Sequence, residues 1–206
     1  MKTTNTESTS ESGQGNQLMV NKDVKETISF LDLELPSGTL WATCNLGAQN
    51  PMEPGDFFAW GERSSKKYFS WDNYQFRHKT KILPEEDVAT ILLGKLWKLP
   101  SAKQVKELID SCIWRTSPFF RKSYVKGISK YNSAAIYLPV TGYMERDKLM
   151  TNDRGAFTGY LSSSLGNLCV DYSFGITIYG RNKIVETGYL YRNYGHFIRP
   201  VFNLTI

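Results

Sequence analysis

The chain has 206 residues, a formal charge of +5 from 25 Lys and Arg against 20 Asp and Glu, and an aromatic content of 14%. That length fits one domain plus a tail, and the aromatic content suits a compact β-rich domain with many loops. The cations are scattered in short pairs such as Lys66-Lys67 and Arg121-Lys122, not gathered into the basic stripe of a nucleic-acid binder, so no nucleic-acid partner is expected.

Residues 1–27 form a polar tail, Ser/Thr/Asn/Glu/Gly-rich through Gln17. With nothing to bury, it is expected to be disordered or to order only against a partner such as a sister subunit or larger assembly. It shows neither the apolar core of a signal peptide nor a membrane span. On this reading the protein reaches the outside as a particle-borne protein would, or its leader is not part of this sequence.

The domain is expected over 28–206. Leu31, Leu33 and Leu35 alternate with Asp32 and Glu34, the period of a half-buried strand. Pro36 and Gly38 supply a turn, and Thr39 to Cys44 resume the strand. Gln49 to Gly55 reads as a loop, DFFAW at 56–60 as a short aromatic strand, and Ser64 to Thr80 as a long surface loop with a strand fragment.

Two helices follow. Pro84 and the acidic run Glu85-Glu86-Asp87 open the first, Val88, Ile91 and Leu92 form its apolar face, and Gly94 stops it. The second starts at the N-cap Ser101 with Gln104 completing a capping box. Its stripe of Val105, Leu108, Ile109 and Cys112 faces a core. From Trp114 onward strands and loops dominate: Ala134 to Val140, Leu168 to Tyr179, Lys183 to Leu190, and a closing strand from His196 to Asn203. Pro200 removes a donor from that last strand, so an edge position or bulge is expected there.

Three cysteines, Cys44, Cys112 and Cys169, are too few and too far apart for a CxxC metal cage. Buried free thiols are the default for Cys44 and Cys112, with a bridge between them left open. Two histidines, His78 and His196, weaken zinc or His-based catalysis. Ser162-Ser163-Ser164 lacks a nucleophile elbow and more simply satisfies buried backbone. Glu53-Pro54-Gly55 and Trp71-Asp72-Asn73 look like calcium-lectin words, but they precede the helices, and no late loop has the carboxylate density that calcium needs. No catalytic residue, metal or cofactor is expected. Trp41, Trp60, Trp97 and Trp114 read as core.

Five words taken together, LDLELPSGTLWATCNLGA at 31–48, GDFFAWGE at 55–62, WKLPSAKQVKELIDSCIW at 97–114, AIYLPVTGY at 135–143, and LSSS at 161–164 with YGHFIRP at 194–200, carry a resemblance. The chain resembles the Fibrobacter succinogenes major paralogous domain family, abundant in Bacteroidetes. The resemblance implies an α+β, C-type-lectin-like fold: small twisted antiparallel sheets, two helices, paired termini and a long loop region. Leu161 stands where the family usually has Trp, and His196 where it usually has Phe. Met144 to Gly159 aligns least.

Tyr179, Arg181, Asn182, Tyr189, Tyr191, Arg192, Asn193 and Tyr194 cluster around late turns. Tyr offers stiff amphipathic area, Asn adaptable hydrogen bonds and Arg planar contacts, which suits a ligand face. Arg146, Lys148, Asn152, Asp153 and Arg154 border the same region. Related lectin-like proteins are similar in carrying their binding face there. The alternative is that the tyrosines only cover a small sheet, with Arg181 and Arg192 solvated. The expected function is a non-catalytic recognition module, virion-borne or at the cell surface, binding a surface glycan or protein. The competing expectation is a structural decoration or connector domain. An oxidase of the formylglycine-generating type shares the lectin-like topology but needs a paired cysteine site, which the spacing of the cysteines does not suggest.

Overall fold

A computed structural model of the chain describes residues 29–116, 124–151, 157–179 and 184–202. The tail at 1–27 and the candidates Asn152, Asp153, Arg154, Arg181 and Asn182 lie outside the described residues. The strands are β1 (Phe30–Asp32), β2 (Leu40–Ala42), β3 (Trp97–Lys98), β4 (Cys112–Thr116), β5 (Tyr124–Ser129), β6 (Ala135–Pro139), β7 (Tyr143–Glu145), β8 (Lys148–Met150), β9 (Thr158–Leu165), β10 (Tyr172–Tyr179), β11 (Ile184–Tyr191) and β12 (Val201–Phe202). Two α-helices, α1 (Val88–Leu93) and α2 (Ala102–Ser111), complete a β-rich α+β architecture of small antiparallel sheets. No helix among the described residues is long and apolar enough to cross a membrane.

The opening hairpin forms as its pattern requires. Leu31 pairs with Trp41, while Leu33, Leu35 and Trp41 are buried. The Gly38 amide closes the turn onto the Leu35 carbonyl at 2.8 Å, with Gly38 at φ +70°, a conformation that favours glycine. Ser37 then donates its amide and hydroxyl to the Glu107 carboxylate on α2. Helix α2 has the expected capping box: the Gln104 amide donates to Ser101 Oγ and the Ser101 amide donates to Gln104 Oε1. Its Val105 and Leu108 enter the core beside Leu33, Leu35 and Trp41.

The first helix departs from its reading. Pro84–Glu86 is a 3-10 turn, and Asp87 is the N-cap of α1 instead of part of its first turn. Asp87 Oδ1 accepts from the Ala89 and Thr90 amides, and Oδ2 accepts from the Leu99 amide at 2.9 Å. Val88 and Ala89 are buried, whereas Ile91 and Leu92 are exposed. Ile91 and Leu92 lie one turn beyond Val88 on the same side of the helix, so the core ends short of them and the helical period is not what exposes them.

The closing segment is also corrected. The sheet order is β1-β2-β12-β3, so β12 is interior, and Pro200 stands just ahead of it. The missing donor costs nothing there, and the Pro200 carbonyl accepts from the Ala42 amide at 2.9 Å. His196 and Phe197 make only isolated bridges, to Phe58 and Tyr160, and DFFAW contributes a bridge instead of a strand. Residues 168–171 form a turn, and the strand begins at Tyr172. The β7–β8 hairpin spans 143–150, directly after AIYLPVTGY begins to turn. Cys44 and Cys112 are buried and free, and Cys169 is free and exposed.

Candidate functional site

The sheet β11-β10-β9 and the β7–β8 hairpin converge on the turn 191–196. Tyr172 pairs with Tyr191 at one end of the β10–β11 ladder. Tyr143 pairs with Met150 in the hairpin, and the Met144–Gly195 bridge ties that hairpin to the turn. Between them lies an open cleft of about 570 Å³, within the ordinary range for small-molecule sites.

Its walls are a run of touching rings. Tyr143 stacks on Tyr194 with centroids 5.4 Å apart, Tyr194 meets Tyr191 at 5.0 Å, Tyr191 meets Tyr172 at 4.6 Å, and Tyr172 meets Tyr189 at 6.3 Å. Phe157 stands edge-on to Tyr143, and the His196 ring stacks on Tyr143 with centroids 5.8 Å apart. Among the described residues, Met150, Thr151 and Leu190 also line it. The Tyr189 hydroxyl is oriented by Asn167 Oδ1.

His196 is buried, and neither ring nitrogen reaches a partner with hydrogen-bond geometry, although the backbone of Tyr191 runs alongside. Burial pushes its pKa down to about 3, so the imidazole is neutral, with one donor and one acceptor nitrogen. Gly159 makes room for it: a Cβ there would come within 2.6 Å of Nδ1. Tyr143, Tyr172 and Tyr194 are held neutral as well. Hydrogen bonding to Tyr191 foremost, then burial, raises Tyr172 to about 12. Burial first and then the Glu145 carboxylate raise Tyr194 and Tyr143, while Asp171 adds to the effect at Tyr172.

Of the residues expected to form a ligand face, Tyr189, Tyr191 and Tyr194 are brought together here. Tyr179 is at the far end of the ladder, opposite Ile184. Arg192 and Asn193 are corrections: both are buried. The Arg192 guanidinium lies 4.4 Å from the Trp60 ring and donates to the Tyr74 hydroxyl and to the carbonyls of Val170, Phe76 and Lys79. With a fifth donation to the Arg77 carbonyl it fastens the late turn to the 74–79 loop and has no donors left over for a ligand. Of the bordering residues, Arg146 pairs backbone to backbone with Phe69 and Lys148 lies opposite Glu145 in the hairpin, neither lining the cleft.

Tyr143, Met150, Phe157, Tyr172 and His196 were missed, because their words are strand-like and only the pairing of distant segments gathers them. The available signal was Tyr143 at the end of AIYLPVTGY and Tyr172 at the head of a strand, each beside a turn.

The serine run serves the scaffold. Ser162 Oγ donates to the Phe174 carbonyl at 2.6 Å, the Ser163 amide donates to the Pro100 carbonyl, and Ser164 Oγ accepts from the Ala102 amide at the start of α2. Glu53 accepts from the Gln49 amide and the Asn50 side chain, and Asn73 Oδ1 accepts from the Ser70 amide and Lys66. Among the described residues no group of His, Cys, Asp and Glu is arranged to hold a metal. No family model, curated protein or solved structure matches this chain.

Proposed function

We propose that this protein is a non-catalytic recognition module with a C-type-lectin-like fold, carried on a virion or at the cell surface, that binds a surface glycan or protein at its tyrosine cleft. The observation that carries this reading is the continuous run of Tyr143, Tyr194, Tyr191, Tyr172 and Tyr189 along an open cleft. Stiff aromatic rings give large contact area at low entropic cost, which is the composition of recognition surfaces. The neighbouring polar groups favour binding over chemistry. A histidine held neutral down to about pH 3 is a weak proton acceptor at working pH, and the serine hydroxyls are engaged with backbone groups.

The test is binding of the labelled full chain to candidate host cells, beside a Tyr191→Ala variant. Tyr191 is 41% exposed, so its loss spares the core. Saturable binding weakened by about tenfold in the variant is expected. Equal binding by the two proteins, or a cleft covered by a sister subunit in the assembled particle, would replace recognition with the structural decoration or connector reading.

A further inference from the structure

The hydroxyl donors of the tyrosine cleft are largely engaged within the fold. The Tyr189 hydroxyl donates to Asn167 Oδ1, the Tyr194 hydroxyl is bonded to the Glu145 carboxylate, and the Tyr172 hydroxyl to that of Tyr191. His196 is 1% exposed and so offers a ligand nothing. What these engaged phenols keep for a ligand is oxygen lone pairs and ring faces, both of them electron-rich.

Among the described residues the wall carries no cation. Two carboxylates stand at its margin. Glu145 follows Tyr143 at the next same-face position of β7, and Asp171 immediately precedes Tyr172 at the start of β10. Neither forms an ion pair among the described residues: Lys148, opposite Glu145 in the hairpin, is exposed and lies beyond ion-pair distance.

An anion would find nothing here to compensate its lost hydration. A sugar hydroxyl takes a hydrogen bond as well as giving one, and the engaged phenols have none left to give. A quaternary ammonium suits the ring faces, but it has no N–H for the carboxylates or the phenol oxygens. A lysine ammonium is a strongly hydrated point charge, whereas a guanidinium is planar, weakly hydrated, stacks on aromatic rings and carries only donors. The neighbouring loop shows the same pairing, with Arg192 4.4 Å from the Trp60 ring and Arg77 5.2 Å from the Trp71 ring. Leu190, Met150 and Phe157 match the methylene stem of such a side chain.

We propose that the cleft recognises an arginine side chain presented by a partner protein. The guanidinium stacks on Tyr191, the exposed ring of the run, with its N–H groups toward the carboxylates of Glu145 and Asp171. This rests on the recognition reading above and selects protein over glycan as the ligand.

An NMR shift titration of the full chain tests it with acetyl-Gly-Arg-Gly-amide. Parallel peptides carry citrulline (the neutral isostere), lysine or trimethyllysine in place of arginine, and maltotriose is the neutral sugar probe. The arginine peptide is expected to bind most tightly, with the citrulline peptide about tenfold weaker. Tyr191→Ala and Glu145→Gln should each weaken arginine binding by about three- to tenfold. The citrulline comparison uses the native chain, so it decides the matter even if a variant fails to fold. Equal binding of the citrulline and arginine peptides, tighter binding of lysine, trimethyllysine or maltotriose, or affinity indifferent to either substitution would each overturn the proposal. If no arginine peptide binds while host-cell binding still depends on Tyr191, the arginine assignment falls and recognition stands. If cell binding ignores Tyr191 too, both fall.

Discussion

Arg192 and Arg199 are both fully buried, and each is held almost entirely by backbone carbonyls. Arg199 Nε donates to Asn45 Oδ1, and its Nη atoms donate to the carbonyls of Ala42, Thr43 and Tyr137. Burial lowers its pKa to about 10, so it remains a cation at neutral pH. Such a guanidinium acts as a planar clasp that joins loops with no strand pairing of their own, a role lysine cannot copy. Arg192→Ala would leave the carbonyls of Val170, Phe76 and Lys79 without their donor and open a void under Trp60. The expected loss is about 3 kcal/mol or more of unfolding free energy, read by urea denaturation; a change below about 0.5 kcal/mol would show that the clasp is dispensable. Nothing in the local sequence Tyr191-Arg192-Asn193-Tyr194 separates the buried arginine from the exposed tyrosine beside it. The distinction comes from Trp60, Tyr74 and the 76–79 carbonyls, all more than a hundred residues away in the chain.

Among the elements, α2 was legible because its signals are local. Ser101 and Gln104 cap it, and Val105 and Leu108 recur on one face. The first helix was half legible, since its acidic start and Gly94 stop are real but its register is set from outside. Asp87 caps α1 and at the same time accepts the Leu99 amide, so one carboxylate orients the helix against the segment that leads into α2. Burial raises its pKa above the ordinary aspartate value, against the pull of those amides. Asp87→Ala removes a cap and orphans a buried amide, with an expected cost of about 2–4 kcal/mol. Asp87→Asn, which keeps an acceptor, should recover part of it in the same thermal melts. Equal stability of Asp87→Ala and the parent would sink the dual role.

At the scale of the molecule, β12 lies between β2 and β3, and Phe202 packs on Phe30 and Trp97 with centroids 5.1 and 5.0 Å apart. The hairpin at one end of the domain is therefore completed by a strand from the other, and a chain ending at Pro200 is expected to lose cooperative unfolding and amide dispersion in NMR. A native-like spectrum of that truncated chain would refute the closure argument. Legible in the letters were the elements whose information is local: the opening hairpin with its Pro-Ser-Gly turn, the capped α2, the burial of Trp41, Trp60 and Trp97, and the aromatic richness of the late turns. Periodicity and capping act within a few residues, so they can be read from neighbouring letters. Which late residues form a cleft was settled by the packing of distant segments. Pairing of Tyr172 with Tyr191, and bridging of Met144 to Gly195, bring five tyrosines and His196 to one place and carry Arg192 inward and Tyr179 away. Such gathering depends on contacts between distant strands, and no short window of sequence encodes them.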